Sequence, residues 1–194
     1  MGVQDRIDWD ARYYERALGA YPPPHALLVA YAPPADPPPQ RIALDLAAGL
    51  CQNAIWLAEQ GYLVNAMDIS RVALQRGRAE MAMRNLRSIN FIQTDLDEVE
   101  LPEQTYDLIA CFRFLDRGLF PQLRAALRPG GMIIYETFNV RRLEYSPDSR
   151  AEFLLELGEL PQHFLGWTVL HDEDARDRAR FVALKPTSAD EGDL

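Results

Sequence analysis

Three predicted strands of this sequence end in an aspartate, namely Asp45, Asp68 and Asp95. Parallel strands put their carboxyl ends at one edge of a sheet, and ligands of open α/β sheets bind along that edge. The acid after the second strand is placed to accept hydrogen bonds from the two hydroxyls of a ribose, and the acid after the third lies where the amino group of a base could donate. Either acid alone could equally cap a helix or begin a turn. The ordered set of three favours a ligand that contains a nucleoside.

The loop after the first strand reads AAGLC and carries a single glycine, Gly49. A dinucleotide needs a glycine-rich turn at this place, because backbone N–H groups must approach its pyrophosphate closely. Asp45, just ahead of the loop, would also repel a phosphate. S-adenosyl-L-methionine (SAM) has a ribose and an adenine but no phosphate, and its ammonium and sulfonium groups are positively charged. The loop therefore favours SAM over NAD as the ligand.

Apolar runs that are typical of strands alternate with amphipathic runs that are typical of helices from residue 41 onward. Strands are predicted at 41–47, 62–69, 89–95, 106–112 and 131–138, and helices at 53–61 and 70–85, the latter with Ser70 as N-cap. A third helix, within residues 117–131, is predicted to end at the proline and glycine stops of residues 129–131. This alternation indicates a parallel sheet with helices on both faces. Two further runs, 167–174 and 179–186, lie too close together for a parallel crossover of ~10–12 residues, so we expect an antiparallel hairpin.

The chain of 194 residues is long enough for one domain with a sizeable core. Residues 1–40 are rich first in aromatic side chains and then in proline, which breaks any long helix. We therefore predict an N-terminal helical lid with a proline-rich connector over residues 1–40, followed by a main domain over residues 41–186. The acidic residues 187–194 are predicted to form a disordered tail.

The composition of the chain limits the kinds of partner that it is expected to bind. The net charge of −9 repels a phosphate backbone, so no nucleic acid is expected, and five arginines between residues 71 and 87 are interpreted as a solvated helix face. No apolar run approaches the ~20 residues that span a bilayer, so no membrane partner is expected, and the first residues do not resemble a signal peptide. Two cysteines are too few for a disulfide framework, which favours the reducing cytoplasm. The expected partner is a small molecule.

A resemblance to a known family rests on the stretch ALDLAAG…NAIWLAEQGYLVNAMDIS, on FIQTDL, and on YDLIACFRFLDRGLFPQLRAALRPGGMIIYETF. Over residues 9–186, including WDARYY near the start, the chain resembles the class I SAM-dependent methyltransferases. It is most similar to the small bacterial branch related to the tellurite-resistance methyltransferases. The resemblance implies an α/β fold, a Rossmann-like doubly wound sheet of seven strands in the order 3-2-1-4-5-7-6 with strand 7 antiparallel. It also implies an enzyme with SAM as its cofactor.

The resemblance assigns roles to individual positions of this chain. It places Asp45, Ala47 and Gly49 beside the methionine moiety of the cofactor, with Cys111 and Phe112 at the methionine end. It places Asp68 at the ribose, and Ile69, Asp95 and the Leu96 N–H at the adenine. The acceptor is expected near the lid and the ends of the fourth and fifth strands, with the candidates Trp9, Tyr13, Arg113, Phe114 and Phe138. Of these, Arg113 would suit an anionic acceptor. We expect no metal site, because His25, His163 and His171 lack the spacing of metal ligands.

Cys51 departs from the family pattern, because it stands where relatives have a glycine. Its side chain would either crowd the ligand or strain the backbone, if this position needs a positive φ. Three functions therefore stay in competition. The first is methyl transfer to a small molecule, in which positioning supplies much of the rate and a general base is optional. The second is a non-catalytic SAM-binding or regulatory protein on the same scaffold, and the third, disfavoured by the loop and the hairpin, is an NAD-dependent oxidoreductase.

Overall fold

The computed structural model describes residues 2–35 and 40–187. Its strands are β1 (Ile42–Leu46), β2 (Leu63–Asp68), β3 (Ile89–Gln93), β4 (Tyr106–Phe112), β5 (Leu127–Phe138), β6 (Thr168–Ala175) and β7 (Arg178–Leu184). They form a seven-stranded sheet in the order β3-β2-β1-β4-β5-β7-β6, in which β7 runs antiparallel to β5 and β6. The predicted Rossmann-like α/β fold, its strand order and the antiparallel last strand are confirmed.

The chain divides into two compact units, residues 1–100 and residues 101–194. The first unit contains β1 to β3 and the helices α1 (Val3–Ala17), α2 (Ala26–Tyr31), α3 (Gln52–Glu59) and α4 (Arg71–Met83). Strand β2 pairs in parallel with both β1 and β3. Parallel pairing brings the carboxyl ends of the three strands to one edge of the unit, which is the edge where the sequence pattern places the three aspartates.

The second unit contains β4 to β7 and the helix α5 (Phe120–Ala126). Strand β5 pairs in parallel with β4 and antiparallel with β7, and the hairpin of β6 and β7 is the one predicted from the short connection. Aromatic side chains fill its core: Phe164 is buried, stacks on Phe181 with 5.4 Å between ring centroids, and meets Phe120 edge-on at 5.8 Å.

The helix predicted to end at the proline and glycine stops of residues 129–131 ends earlier than predicted. Helix α5 ends at Ala126 and the chain passes directly into β5. The register of β4 with β5 shifts across the Pro129-Gly130-Gly131 segment, which forms a bulge. Gly130 has a φ of +76°, and a Cβ added to Gly131 would lie 2.8 Å from the Arg128 carbonyl oxygen. These glycines, which the sequence pattern predicts as a helix stop, instead allow a strand to bulge.

Residues 139–166, for which the sequence pattern predicts no helix or strand, contain three short 3-10 helices. They span Val140–Glu144, Ala151–Phe153 and Leu160–Phe164. The first begins at the buried Asn139, whose side chain accepts a hydrogen bond from the Arg141 N–H at 3.1 Å. A cap of this kind replaces the intrahelical partners that such short helices lack.

Residues 2–35 belong to the same compact unit as residues 40–100. The predicted lid function of this segment and the predicted boundaries at residues 40 and 187 stay predictions. Residues 36–39 of the predicted connector and residues 188–194 of the predicted tail lie outside the described residues. Within the described part of the chain, no helix combines the length and the apolar character that a bilayer span requires.

Candidate functional site

The loop of residues 47–51, at the end of β1, alternates left-handed with ordinary backbone. Ala47, Gly49 and Cys51 have φ values of +53°, +55° and +64°. A left-handed backbone costs a non-glycine residue about 1–2 kcal/mol, and strained residues of this kind gather at functional sites. The strain that we predict as one alternative for Cys51 is therefore present, and Ala47, for which the sequence predicts none, shares it. The loop has the shape of a glycine-rich turn although two of its three left-handed positions carry side chains.

Three backbone N–H groups of this loop donate to acceptors inside the protein. The N–H of Ala48 donates to the Met67 carbonyl at 2.9 Å, that of Gly49 to the Asp68 carboxylate at 2.7 Å, and that of Cys51 to the Ala48 carbonyl at 2.8 Å. A pyrophosphate binds through free N–H groups at this place. Their engagement supports a ligand without phosphate, as the sequence argument against NAD predicts.

Cys51 is fully buried and its thiol donates to the Gly49 carbonyl at 3.4 Å. A Cβ added to Gly77, in the middle of α4, would lie 2.7 Å from the Cys51 Cβ, 2.8 Å from its Sγ and 2.9 Å from the Phe91 Cε1. Gly77 therefore makes room for the cysteine. Burial raises the pKa of the Cys51 thiol well above its ordinary value, so the thiol stays neutral. Since the side chain occupies the interior, the packing does not support the predicted alternative that Cys51 crowds a ligand.

Asp45 lies beneath the loop, with only 1% of its surface exposed. Its Oδ2 accepts a hydrogen bond from the Ala54 N–H at 3.0 Å, which satisfies the start of α3. The pKa of Asp45 is raised to about 8, chiefly by burial and to a lesser extent by the charge of Asp68, while the hydrogen bonds from Ala54 and Asn53 oppose the rise. A contact of Asp45 with the methionine moiety stays a prediction.

The raised pKa of Asp45 predicts how stability varies with pH. The pKa is about 8 in the folded protein against 3.8 for a free side chain, so the folded state holds the extra proton between these values. The stability from this proton is complete below about pH 4 and is lost as the pH rises through about 8. We expect wild type to lose free energy of unfolding relative to Asp45→Asn between about pH 4 and about pH 8, by at most ~1.4 kcal/mol per pH unit. Urea denaturation of both proteins measures this, and parallel curves would show that Asp45 is ionised in the folded protein.

Asp68, at the end of β2, holds both the loop and the start of α4. Its Oδ2 accepts from the Gly49 N–H at 2.7 Å and its Oδ1 from the Ser70 N–H at 2.8 Å. Burial raises the pKa of Asp68, and these two bonds oppose the rise. Each carboxylate oxygen has a further lone pair, so the group can also accept hydrogen bonds from a diol. Ser70 is the N-cap of α4, as predicted, because its hydroxyl accepts from the Ala73 N–H at 3.1 Å.

Asp95 begins a turn instead of ending a strand, because β3 stops at Gln93 and the predicted boundary is two residues too long. The Asp95 carboxylate accepts from the Asp97 N–H at 3.1 Å, which is the turn geometry weighed as the alternative for this acid. Leu96 and Ile69 are both buried. The predicted contacts of these residues with an adenine stay predictions.

Asp10 ties α1 to the start of α4, a role that the sequence pattern does not reveal. Its Oδ1 accepts from the Ser70 hydroxyl at 2.6 Å and from the Val72 N–H at 3.1 Å. A contact across 60 residues leaves no trace in local periodicity, although a capping acid is a common partner for a helix start. Trp9 and Tyr13, predicted at the acceptor, stack on each other with 5.6 Å between ring centroids.

Tyr21 ties the segment after α1 to the loop of residues 47–51. Its hydroxyl donates to the Leu50 carbonyl at 2.7 Å, and burial raises its pKa, which keeps the proton on the hydroxyl. The guanidinium groups of Arg76 and Arg84 lie 4.9 Å and 5.6 Å from the Tyr21 ring. These two arginines belong to the helix face that is predicted to be solvated, and their guanidinium groups also cover an aromatic ring.

In the second unit, Cys111 and Phe112 are buried at the end of β4. The next residue, Arg113, has a φ of +60°, and its N–H donates to the Glu136 carbonyl at 2.7 Å. A bulky residue with positive φ is unusual and fits a functional position. The roles predicted for these three residues stay predictions.

Phe114 and Phe138, the other acceptor candidates of this unit, make internal contacts. The Phe114 carbonyl accepts from the Tyr135 hydroxyl at 2.8 Å. The Phe138 ring centroid lies 4.3 Å from the guanidinium carbon of Arg142 and 4.0 Å from that of Arg178. The ring of Phe138 is thus engaged in cation–π contacts within the protein. Acceptor binding by either residue stays a prediction.

No group of three or more His, Cys, Asp or Glu side chains that could hold a metal ion occurs among residues 2–35 and 40–187. Two of the histidines have structural contacts. His25 is the N-cap of α2 and accepts from the Leu27 N–H at 3.3 Å. His163 stacks on Phe120 with 3.9 Å between ring centroids.

Comparison with known proteins gives a family match over the centre of the chain. Residues 43–131 match the model of a methyltransferase domain. The chain is 31% identical over 140 residues to hemagglutinin 1 of Eikenella corrodens, and the aligned region covers 68% of this chain and 45% of that protein. It is also 31% identical over 80 residues to malonyl-[acyl-carrier protein] O-methyltransferase 2 of Ilyobacter polytropus, and this aligned region covers 39% of this chain and 30% of that enzyme. The chain therefore spans less than half of the length of either curated relative.

Among solved structures, the chain is similar to TehB from Haemophilus influenzae. The two superpose with a TM-score of 0.71 over 91% of this chain and 67% of the TehB chain, at 17% sequence identity. At this identity, the likeness concerns the fold alone.

Proposed function

We propose that this chain, which belongs to the class I SAM-dependent methyltransferases, binds SAM and transfers its methyl group to a small-molecule acceptor. The observation that carries the proposal lies in the first unit. There a left-handed loop follows β1, and its Gly49 N–H donates to the acid that ends β2, at 2.7 Å. The loop offers a nucleoside a close backbone approach, and Asp68 offers its ribose a carboxylate.

The chemistry of the residues fits the parts of SAM. Asp68 has lone pairs for the two ribose hydroxyls, and the buried Ile69 supplies apolar surface beside an adenine. Asp45 and Asp68 would both carry negative charge near the cationic sulfonium and ammonium groups. Because a positive ligand favours ionised carboxylates, SAM binding is expected to lower the pKa of both acids.

SAM supplies a methyl group that its sulfonium already activates toward displacement. The protein then has to align the acceptor with the methyl carbon and exclude water, and good alignment is worth up to ~7–11 kcal/mol. A general base is needed only when the acceptor atom carries a proton of high pKa. The acceptor-binding residues are proposed to include Arg113 in the second unit. Its positive φ is a strained conformation of the kind that gathers at functional sites, and its guanidinium would suit an anionic acceptor.

The proposal is tested by titrating the purified chain with SAM, with its demethylated product and with NAD in a calorimeter. We expect binding of SAM and of the product, and none of NAD. Binding of NAD in place of SAM would support the oxidoreductase alternative. Binding of neither ligand by the folded protein would overturn the proposed function.

A non-catalytic SAM-binding protein is the second candidate, and the side chains at Ala47 and Cys51 in left-handed positions favour it. Incubation with SAM carrying a labelled methyl group and a fractionated small-molecule extract separates the two. Label in an extract fraction, together with release of the demethylated product, indicates catalysis. Tight SAM binding without turnover on any fraction indicates a regulatory role. The cytoplasmic location expected from the cysteines stays a prediction.

Residues 2–35 are proposed to form a lid over the methyl donor. Asp10 holds α1 at the start of α4, and Tyr21 bonds the Leu50 carbonyl at 2.7 Å. We expect a chain without residues 1–20 to stay folded and to retain SAM binding, but to transfer methyl groups poorly because water enters. Turnover and calorimetry measure the two effects, and a chain without residues 188–194 is the matched control. Full activity of the shortened chain would contradict the lid, and failure to fold would make the segment part of the core.

A further inference from the structure

The N-terminal helix α1 is attached to its unit along one side. Its Asp10 accepts hydrogen bonds from the Ser70 hydroxyl and the Val72 N–H, at 2.6 and 3.1 Å. One turn further along, the Tyr13 hydroxyl lies over Gly49, where an added Cβ would come within 2.8 Å of it. None of the 15 residues of α1, all of which the structure describes, is buried in the single chain. Because a helix of this length is marginal in water without tertiary packing, α1 would gain stability from a second covering surface.

An apolar stripe runs along the solvent side of the same helix. Its members follow one another at intervals of four, four, three and four residues, which is the spacing of a single helix face. They are Val3, Ile7, Ala11, Tyr14 and Leu18, the last of which is the C-cap. Ala11 is exposed, and the other four residues are between 51% and 78% exposed. Contiguous apolar surface of this kind marks sites of protein or membrane interaction.

The charges of α1 do not suit a lipid surface. Helices that lie on membranes carry mainly Lys and Arg on their polar face, which attract anionic headgroups. The polar side of α1 instead mixes four acids with three arginines and has no lysine, the charged residues being Asp5, Arg6, Asp8, Asp10, Arg12, Glu15 and Arg16. The whole chain also has a net charge of −9. A protein partner is therefore favoured over a lipid surface.

The stripe is nearly symmetric about Ala11, so two copies of it fit each other. Ile7 lies four residues before this position and Tyr14 three residues after it. Val3 and Leu18 lie eight residues before it and seven after it. In an antiparallel pair with its twofold axis near Ala11, Ile7 meets Tyr14 of the partner subunit, and the ends of the two stripes meet in the same way. The small alanine at the centre lets the helix axes approach to the ~8–10 Å of packed helices.

Charged residues beside the stripe also match in this arrangement. Antiparallel packing sets each flank of the stripe against the same flank of the partner, and one flank carries Asp8, Arg12 and Glu15, with the arginine in the middle. The Asp8 carboxylate accepts from the Gln4 side chain at 2.9 Å and can accept further bonds. The Arg12 guanidinium carbon lies 4.5 Å from the Trp9 ring centroid, and a stacked guanidinium still donates in its own plane. Asp8 of each copy can therefore pair with Arg12 of the partner subunit.

We propose that the apolar stripe of α1 is the interface of a twofold dimer of this protein, in which the two α1 helices pack antiparallel. The stripe is about 22 Å long at about 1.5 Å per residue, and two helices of this length bury less than the ~800 Å² per partner of a standard interface. The expected dimer is therefore weak, with a dissociation constant in the micromolar range or above. Its formation depends neither on the ligand nor on the reaction.

Sedimentation equilibrium of the full chain, from about 1 µM to about 1 mM, measures the association. We expect wild type to form dimers over this range. Ile7→Glu should weaken the dimer about tenfold or more, because a charge from each copy would be buried at the centre of the contact. Met83→Glu is the matched control, since it adds the same charge at a helix residue that is 72% exposed, and it should behave as wild type. A wild type that stays monomeric, or equal association of Ile7→Glu, would overturn the proposed dimer.

Disulfide trapping tests the antiparallel arrangement separately. The native cysteines, Cys51 and Cys111, are both buried. Ala11→Cys puts the new thiol beside its own copy across the axis, so diamide, which oxidises two thiols to one disulfide, should give a covalent dimer. Val3→Cys should give far less, because the two copies of this residue lie at opposite ends of the contact. Equal trapping of both variants would overturn the antiparallel arrangement. Binding of wild type to phosphatidylglycerol vesicles without any dimer would assign the stripe to lipid and overturn the proposal.

Discussion

Asp68→Ala is expected to bind SAM about 10- to 150-fold more weakly than wild type. The ribose would lose its hydrogen bonds to a carboxylate, and bonds to a charged group contribute ~1.5–3 kcal/mol. The same substitution should also lower the free energy of unfolding. The N–H groups of Gly49 and Ser70, which now donate to the carboxylate at 2.7 and 2.8 Å, would lose their acceptor in a buried place. Each such loss costs about 1–3 kcal/mol.

Calorimetry and urea denaturation separate these two consequences of Asp68→Ala. Asp68→Asn is the matched control, because it keeps the size of the side chain and one acceptor oxygen but removes the charge. We expect Asp68→Asn to fall between wild type and Asp68→Ala in both measurements. Wild-type SAM affinity in a folded Asp68→Ala protein would remove Asp68 from the cofactor site.

Gly77→Ala is expected to lower the free energy of unfolding by about 1–3 kcal/mol, although alanine favours helices over glycine by about 1 kcal/mol. The new Cβ would lie 2.7 Å from the Cys51 Cβ, 2.8 Å from its Sγ and 2.9 Å from Phe91. In a Cys51→Gly background two of these three clashes vanish. The cost of Gly77→Ala should therefore shrink there, and the double variant should be more stable than the sum of the single changes implies.

Thermal or urea unfolding of wild type, both single variants and the double variant gives this coupling energy. The control background is Ala47→Gly, which also relieves a left-handed residue but is not among the atoms nearest the Gly77 position. We expect Gly77→Ala to cost the same in Ala47→Gly as in wild type. Equal costs in the Cys51→Gly and wild-type backgrounds would show that Cys51 and Gly77 do not adapt to each other.

The fold could be read from local sequence, and so could the sheet edge at which the candidate site is proposed. The acids near the ends of β1 and β2, Asp45 and Asp68, are located from hydrophobic periodicity, and the final hairpin from a connection too short for a parallel crossover. These are short-range properties, so they constrain the sheet before any packing is known. Two predicted ends show the limit of the same reasoning. The end of β3 is predicted two residues too late, at Asp95, and the end of α5 is predicted at Pro129 although the helix ends at Ala126. Turn and bulge residues use the same glycine, proline and aspartate that also end helices and strands.

Tertiary structure alone decided which further residues surround the candidate site. The positive φ of Ala47 depends on the hydrogen bonds that close the loop, because alanine by itself prefers negative φ. The space that Gly77 leaves for Cys51 depends on how α4 lies against the loop. The approach of Tyr13 to Gly49 depends on the docking of α1 through Asp10. Each of these contacts joins residues that are distant in the sequence, and local periodicity carries no information about which distant side chains will meet.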